Sequence, residues 1–536
     1  MAQIKVTDLT FAYEGTAEDV LEHLTFHIDT DWKLGLIGRN GKGKTTLLKL
    51  LMNEYEYQGS IVTSTHFDYF PYEVKAEELS KTADELMEGW KPQAESWQVL
   101  IQMSEIGMDA EYLYRPFGTL SHGERTRIML AVLFAGENEF LLIDEPTNHL
   151  DAKARDIVKK YLASKKGFIL VSHDRDLLDA VCDHMLVMNR ETIEVQVGNF
   201  SSWWENKERS DKNAIAENEK HMKEIGKLKA AADRSSRWAE KNENSKIGFD
   251  PLKEPERNIS TRSYIGAKTK KMQARVKSYE KRMDREIEEK EGLLQDIERV
   301  ADLKLEPMKY HKEILVHARN LSLRYEDAEE PLFQGLGFQV RRGDRVVISG
   351  DNGCGKSSLI KRILQLAGVA SDSVDEGGNI KAEENRESHS TLVTEGTLEV
   401  GSGLIISYVN QDTSHLSGSL RDYCEKRGLR ESLFLAILRK LDFGREQFGK
   451  SMEDFSEGQK KKVLIASSLI TPAHLYIWDE PLNYIDVFSR MQIEKLILEF
   501  CPTMLMVEHD VRFREKVATL ILSLPEGGAV VPDMPH

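Results

Sequence analysis

Cysteine is scarce in this 536-residue chain: Cys182, Cys354, Cys424 and Cys501 stand singly. No two form a CxxC pair, which argues against zinc and iron–sulfur sites. Isolated thiols suit a reducing cytoplasm better than a disulfide-bonded secreted protein. Long apolar runs are missing too. No segment approaches the about 18 uninterrupted apolar residues that read as a membrane span. The opening MAQIKVTDLTFAY has no basic stretch followed by an apolar run, so no secretory signal and a cytoplasmic location are expected. Positive charge is in deficit. Against 89 Asp and Glu stand 73 Lys and Arg, a net of −16, the wrong sign for a simple nucleic-acid binder. No membrane and no DNA partner is expected. What is present is bulk: at 40% hydrophobic residues the chain can build cores, and its length is that of two large domains rather than one.

An internal repeat sets the architecture. GRNGKGKTT at 38–46 returns as GDNGCGKSS at 350–358, and LSHGE at 120–124 returns as FSEGQ at 455–459. LLIDEPTNHLD at 141–151 returns as YIWDEPLNYID at 476–486, and LVSHD at 170–174 as MVEHD at 506–510. The order is the same in both halves. The offset between copies is 312 at the first motif, 339 at Tyr69 and Tyr408, and 335 at Ser121 and Ser456 and at Glu145 and Glu480. The second copy has therefore gained about 27 residues after its first motif. The acidic, polar stretch 371–396 is the expected insertion, an exposed or disordered loop.

The runs KLGLIG, FLLID, GFILVS, RVVISG, LYIWD and TMLMVE read as buried parallel strands. Helical patterns such as TTLLKLLM and SSLIKRIL follow the first motifs. Strands alternating with helices predict a three-layer α/β domain, twice. Between them, residues from about 203 to 300 are rich in Lys, Glu and Arg. Met272, Val276, Tyr279, Met283, Leu294 and Ile297 keep heptad spacing. The segment 244–263 holds two prolines and a glycine and breaks the helical pattern. The expectation is an α/β protein with two P-loop nucleotide-binding domains, 1–202 and 311–536, joined over 203–310 by a long antiparallel two-helix linker.

The first motifs match G-x-x-x-x-G-K-[ST] in full, each after a strand and opening a helix. Gly38, Asn40, Gly41, Gly43, Lys44, Thr45 and Thr46 are the ATP-binding set of the first copy. Gly350, Asn352, Gly353, Gly355, Lys356, Ser357 and Ser358 form that of the second. Glycines let backbone N–H groups close around phosphates, the lysines neutralise β- and γ-phosphate charge, and Thr45 and Ser357 are placed to ligate Mg²⁺. Asp144 and Asp479 at the ends of apolar strands would hold the Mg²⁺ shell, and Glu145 and Glu480 would polarise the attacking water. His173 and His509 each end another apolar strand and would contact the γ-phosphate. Cofactors are therefore ATP and Mg²⁺.

P-loop, LSHGE or FSEGQ, DEP and a later histidine in this order resemble the ATP-binding cassette (ABC) superfamily. The resemblance implies that Ser121 and Gly123, and Ser456 and Gly458, bind the γ-phosphate held by the opposite cassette from helix N-termini. It makes Gln411 a Mg²⁺ ligand, and Tyr13 and Tyr325 adenine-stacking aromatics. This sequence departs from the family at His122 and Glu457 within the signatures. It departs again at Tyr72, which stands where the first copy should carry its glutamine.

Two cassettes fused through a charged linker, with DEPTNHLD in the first, resemble the ABC-F family of ribosome-associated ATPases over nearly the whole chain. WKLGLIGRNGKGKTTLL and YIWDEPLNYIDVF look like the Lsa and Vga type of antibiotic-resistance members. That likeness implies a ribosome partner, with rRNA and P-site tRNA met by the linker, and drug displacement from the peptidyl-transferase centre. It implies a monomer whose two cassettes pair with each other. The linker adds its own signal: residues 220–285 carry 19 Lys or Arg against 9 Asp or Glu, a net of +10, so the rest of the chain carries −26. Lys220, Lys223, Lys227, Arg234, Arg237 and Lys241 share one helix face, and Lys268, Lys271, Arg275 and Arg282 another. The stretch between Val74 and Leu120 is too short for the arm insertion of some ABC-F proteins, and no accessory domain is expected after the second cassette. Two alternatives stand beside this reading: a housekeeping ABC-F translation factor without a drug phenotype, and a transporter-associated ATPase.

Overall fold

The structure is a computed structural model that describes residues 3–13, 19–136, 140–148, 150–188, 192–244, 307–328, 330–368, 392–441 and 443–524. The chain divides into two compact units, Met1–Trp203 together with Ala301–His536, and Trp204–Val300.

The first unit contains both cassettes. In the first cassette, strands run in the order Phe67–Phe70, Phe140–Asp144, Phe168–Val171, Lys33–Gly38, His184–Met188 and Ile193–Val197. All pairings are parallel except the last. In the second cassette the order is Ile406–Val409, Leu475–Asp479, Met504–Val507, Arg345–Ser349 and Leu520–Ser523, all parallel. The six apolar runs read from the sequence are the central strands of these sheets. They are apolar on both faces because both faces are covered, as a parallel sheet requires. Leu34, Leu36, Leu142, Ile169 and Leu186 are fully buried in the first cassette, and Val347, Ile477, Trp478 and Leu505 in the second. Trp478 keeps its polar atom satisfied: its indole N–H donates to Ser468 Oγ at 2.9 Å.

Each cassette carries a smaller antiparallel sheet beside its P-loop helix. The first is built from Gln3–Phe11, Leu21–Asp29 and Gln58–Val62, the second from Ile314–Tyr325, Phe333–Arg341 and Leu392–Val400. The last strand corrects one expectation. The sequence places all of 371–396 in a loop, yet Leu392 pairs with Tyr325, Thr394 with Leu323 and Glu395 with Ser322. Leu392, Leu398 and Val400 pack on the core, and this apolar set outweighs the local acidity. The remainder of that segment lies outside the described residues.

The parallel sheets place the chemistry. In a parallel α/β sheet, loops at the carboxyl ends of the strands converge on one edge. Asp144 pairs with Val171 and Leu36 with Val171, so the P-loop, the DEP turn and the histidine all leave that edge together.

The second unit is described only as far as the helix Phe200–Asn244, which enters it from the first. The linker tip 244–263 beyond Asn244, the expected second helix and the basic stripe Lys268, Lys271, Arg275 and Arg282 lie outside the described residues. On the described helix Lys220, Lys223, Lys227 and Arg234 are exposed, while Ala214 and Ile225 are buried. At about 100° per residue those buried positions fall opposite the basic stripe.

Candidate active site

The P-loop helices Lys44–Leu51 and Lys356–Leu366 both start from a glycine in the left-handed region, Gly43 at φ 84° and Gly355 at φ 96°. Only glycine turns the chain there without strain. The first-turn N–H groups are thereby aimed into the loop, where they and the helix dipole favour an anion. Lys44 Nζ donates to the carbonyls of Gly38 and Arg39 at 2.9 and 3.2 Å and to Asn40 Oδ1 at 3.3 Å. Lys356 Nζ donates to the carbonyls of Gly350 and Asp351 at 2.7 and 2.8 Å. Each ammonium thus rests on its own loop, inside the cradle a phosphate would enter.

The neighbouring hydroxyls are arranged alike. Thr45 Oγ1 donates to Asp144 Oδ2 at 2.7 Å, and the Ser357 hydroxyl bonds the Asp479 carboxylate. Tyr13 and Tyr325 hydroxyls meet Thr46 and Ser358 at 2.7 and 2.8 Å, which pins both rings beside the P-loops.

Each P-loop faces the other cassette's signature. Asn40 Nδ2 donates to the Tyr484 carbonyl of the second cassette at 2.7 Å. Gly458 is wedged there: a Cβ on it would lie 2.4 Å from the Tyr484 carbonyl oxygen and 2.9 Å from Asn40 Nδ2. At the other junction a cleft of about 770 Å³ is lined by Ser121, Gly123 and Arg155 of the first cassette, and by Asn352, Lys356, Gln411, Glu480 and His509 of the second. Ser121 and Ser456 cap the signature helices, their hydroxyls accepting from the N–H groups of Glu124 and Gln459 at 3.3 and 3.4 Å. Both helix starts therefore point at the opposite P-loop.

Glu145 and Glu480 sit at φ 51° and 47°, a region costly for a non-glycine residue and found where an active site over-determines the backbone. Their surroundings differ. Glu480 Oε2 accepts from Gln411 Nε2 and from Asn483 Nδ2, both at 2.9 Å, and His509 Nε2 lies 3.5 Å from its Oε1. Burial pushes this carboxyl up, but His509, Lys356 and Asn483 outweigh it and hold the group below the usual range. Around Glu145, the His173 N–H donates at 3.3 Å to Oε2, and His173 Nε2 lies 3.3 Å from Oε1, which is buried without a hydrogen bond. Burial first and the Asp144 charge second push Glu145 up to about 8, against Lys44 and Arg490. Burial also lowers both histidines, with Lys44 and Arg490 adding to it at His173 and Lys356 at His509, so the imidazoles are neutral.

The sequence singled out Tyr72 as a departure, and the structure shows its consequence. The Tyr72 hydroxyl donates to the Asp68 carboxylate at 3.2 and 3.0 Å and its ring stacks on Trp90. Residues the sequence reading passed over also matter. Asn483 was inside the quoted YIWDEPLNYID, three places after Glu480, and that spacing was its signal. The buried pair Arg175–Glu494 joins the cassettes, with Asp510 3.6 Å from Arg175 and Arg490 3.0 Å from Asp510. It had no sequence signal, since neither residue lies in a motif that pairs across the halves.

A divalent cation fits the donors present. Asp479 Oδ1 is buried with no hydrogen bond, beside a hydroxyl and a second carboxylate. Among the described residues no group of three or more His, Cys, Asp or Glu side chains could hold a metal alone. A site of one carboxylate and one hydroxyl suits Mg²⁺, which completes its shell with water and substrate phosphates. When bound, the ion would offset the charge that develops on the transferred phosphate.

Fold and site together define a tandem P-loop ATPase with two α/β cassettes. The ABC transporter family matches the chain twice, over residues 21–148 and 333–483, and the chain belongs to that family. Among relatives, the ribosome protection protein VmlR of Bacillus subtilis is 26% identical over 98% of this chain and 87% of its own length. ABC transporter F family member 5 of Arabidopsis thaliana is 22% identical over 98% and 75%, and the ATP-binding protein Uup of Buchnera aphidicola 26% over 93% and 77%. Among solved structures, the complex of archaeal ribosomal stalk protein aP1 with the ribosome recycling factor aABCE1 contains a chain with 17% identity and a TM-score of 0.59, over 96% of this chain and 87% of that one. That last likeness is one of fold. Among the described residues no helix is long and apolar enough to cross a membrane.

Proposed function

We propose that this ATPase is a ribosome-binding ABC-F protein that clears antibiotics from the peptidyl-transferase centre. Its two ATP sites close between cassettes, Lys44 opposite Ser456 and Gly458, and Lys356 opposite Ser121 and Gly123. The observation that carries the reading is the basic arm on an acidic body. Lys220, Lys223, Lys227 and Arg234 stand exposed on one face of a 45-residue helix whose buried residues face the other way. Such a helix spans about 65 Å at about 1.5 Å per residue, a length that can follow an RNA groove. The likeness to VmlR, a ribosome protection protein by name, supports the same partner.

In this reading Glu145 and Glu480 orient and deprotonate the attacking water, His173 and His509 donate to the γ-phosphate, and Lys44 and Lys356 leave their loop carbonyls for phosphate oxygens. Thr45 with Asp144, and Ser357 with Gln411 and Asp479, hold Mg²⁺. Tyr13 and Tyr325 stack on adenine, and Gly38, Gly41, Gly43, Thr46, Gly350, Gly353, Gly355 and Ser358 shape the two cradles. The domains are 1–202, 203–310 and 311–536, and the chain acts in the cytoplasm as a monomer. Linker residues beyond 244 meet rRNA and P-site tRNA. Phe249 and Tyr264 among Lys253, Arg257 and Arg262 offer the stacking and phosphate contacts that looped RNA favours.

Deletion of residues 250–258 tests the proposal. Expressed at equal level in a sensitive host, the shortened chain should keep ATPase activity and ribosome binding. It should lose protection against lincosamide, streptogramin A or pleuromutilin drugs. Full protection by the shortened chain would favour a housekeeping role.

A further inference from the structure

The first cassette lacks the glutamine that the second carries at 411, and Tyr72 in its place is committed to Asp68 and Trp90. Three residues earlier stands Tyr69, on the edge strand Phe67–Phe70 beside Phe140–Asp144. Its hydroxyl donates to Asp144 Oδ2 at 3.2 Å, the oxygen that also accepts from Thr45 Oγ1 at 2.7 Å. Two donors from two elements thus converge on one oxygen of one carboxylate. In the second cassette Tyr408 holds the same register place, opposite Ile477 as Tyr69 is opposite Leu142. There the tyrosine hydroxyl donates to Asn410 Oδ1 at 3.4 Å, and Gln411 reaches Glu480.

We infer that Tyr69 is a positioning residue of the first ATP site, orienting the Asp144 carboxylate for a divalent cation where the first cassette has no glutamine to serve that site. A carboxylate pinned through Oδ2 by a phenol keeps one orientation when Thr45 turns toward the ion. Partners of this outer kind commonly govern metal affinity by about 10- to 100-fold. The inference rests on the proposed reading that Thr45 and Asp144 serve Mg²⁺.

The test uses the full chain with ATP and Mn²⁺ as a spin-active stand-in, its binding read by electron paramagnetic resonance. Ser357→Ala silences the second cation site in every sample. Tyr69→Phe removes one oxygen and keeps the ring; it should weaken Mn²⁺ binding by about 10-fold. Tyr408→Phe should leave Mn²⁺ binding unchanged, and Thr45→Ala should weaken it at least as much as Tyr69→Phe. Unchanged Mn²⁺ affinity in Tyr69→Phe, with Thr45→Ala weakened, would overturn the inference and leave Tyr69 as a neighbour that merely satisfies a buried acid. Unchanged affinity in Thr45→Ala as well would overturn the metal reading, and the inference with it. A lower unfolding midpoint in Tyr69→Phe with normal Mn²⁺ affinity also counts against it.

Discussion

Arg175→Met should uncouple the cassettes far more than its distance from either phosphate cradle implies. Arg175 is 1% exposed and its partner Glu494 3% exposed, and they belong to different cassettes. Its guanidinium forms a fork on Glu494, one arm at 3.2 Å, and lies 3.6 Å from Asp510. Removing one member of a buried pair leaves the other charge desolvated and alone, at a cost of about 3–5 kcal/mol. Here the lower end applies, because Asp510 keeps Arg490 at 3.0 Å and Glu494 keeps Lys516 at 3.5 Å. A loss of about 3 kcal/mol in the closed state is about a 100-fold shift in the closure equilibrium. Closure takes up two ATP, so fluorescence energy transfer between labels on the two cassettes, titrated with ATP, would read this as a rise of about 10-fold in the half-closing concentration. Arg175→Met with Glu494→Leu removes both charges and fills the space, so closure should return to near the wild-type concentration. Closure of Arg175→Met at the wild-type ATP concentration would refute the reasoning. So would a double variant no better than the single one.

The remaining expectations concern the sites themselves. Glu145→Gln and Glu480→Gln together should lower ATP turnover by at least about 100-fold while nucleotide affinity is kept, read by phosphate release and nucleotide binding. The single variants should differ in residual rate, because Glu480 has the Gln411 and Asn483 donors and the first site has Tyr72 in the glutamine's place. In the Glu480→Gln background only Glu145 works. A carboxyl raised to about 8 is protonated below that pH and a base above it, so the rate should climb from pH about 7 to about 9. In the Glu145→Gln background the rate should be flat over that window, since Glu480 is held below the usual range and is already ionised. Ser456→Ala should cost about 1 kcal/mol of helix stability through the lost cap, seen as a lower unfolding midpoint, together with weaker ATP-driven closure.

The sheet strands and P-loops were legible because their signals are local. A run such as FLLID needs only its own apolar residues to declare a strand buried on both faces, and GKGKTT needs only its glycines and lysine. The pairing of each P-loop with the opposite signature entered through family resemblance. What the sequence could not carry were contacts between distant positions. The fork of Arg175 on Glu494 spans 319 residues, and nothing near either residue announces it. In the sequence Tyr69 marks only the register of the repeat, since a strand tyrosine is usually core. Its hydroxyl matters because the fold sets Asp144 on the next strand. The strand at Leu392 was hidden by acidic neighbours, although its branched and apolar residues suit a pleated, half-buried surface.

Co-sedimentation with ribosomes tests the central claim most directly. The Glu145→Gln, Glu480→Gln double variant, loaded with ATP, should pellet with ribosomes in near-stoichiometric amount. The same protein with ADP, or with Lys44→Ala and Lys356→Ala added, should stay in the supernatant. Equal pelleting in every nucleotide state, or none in any, would contradict an ATP-closed factor that works on the ribosome.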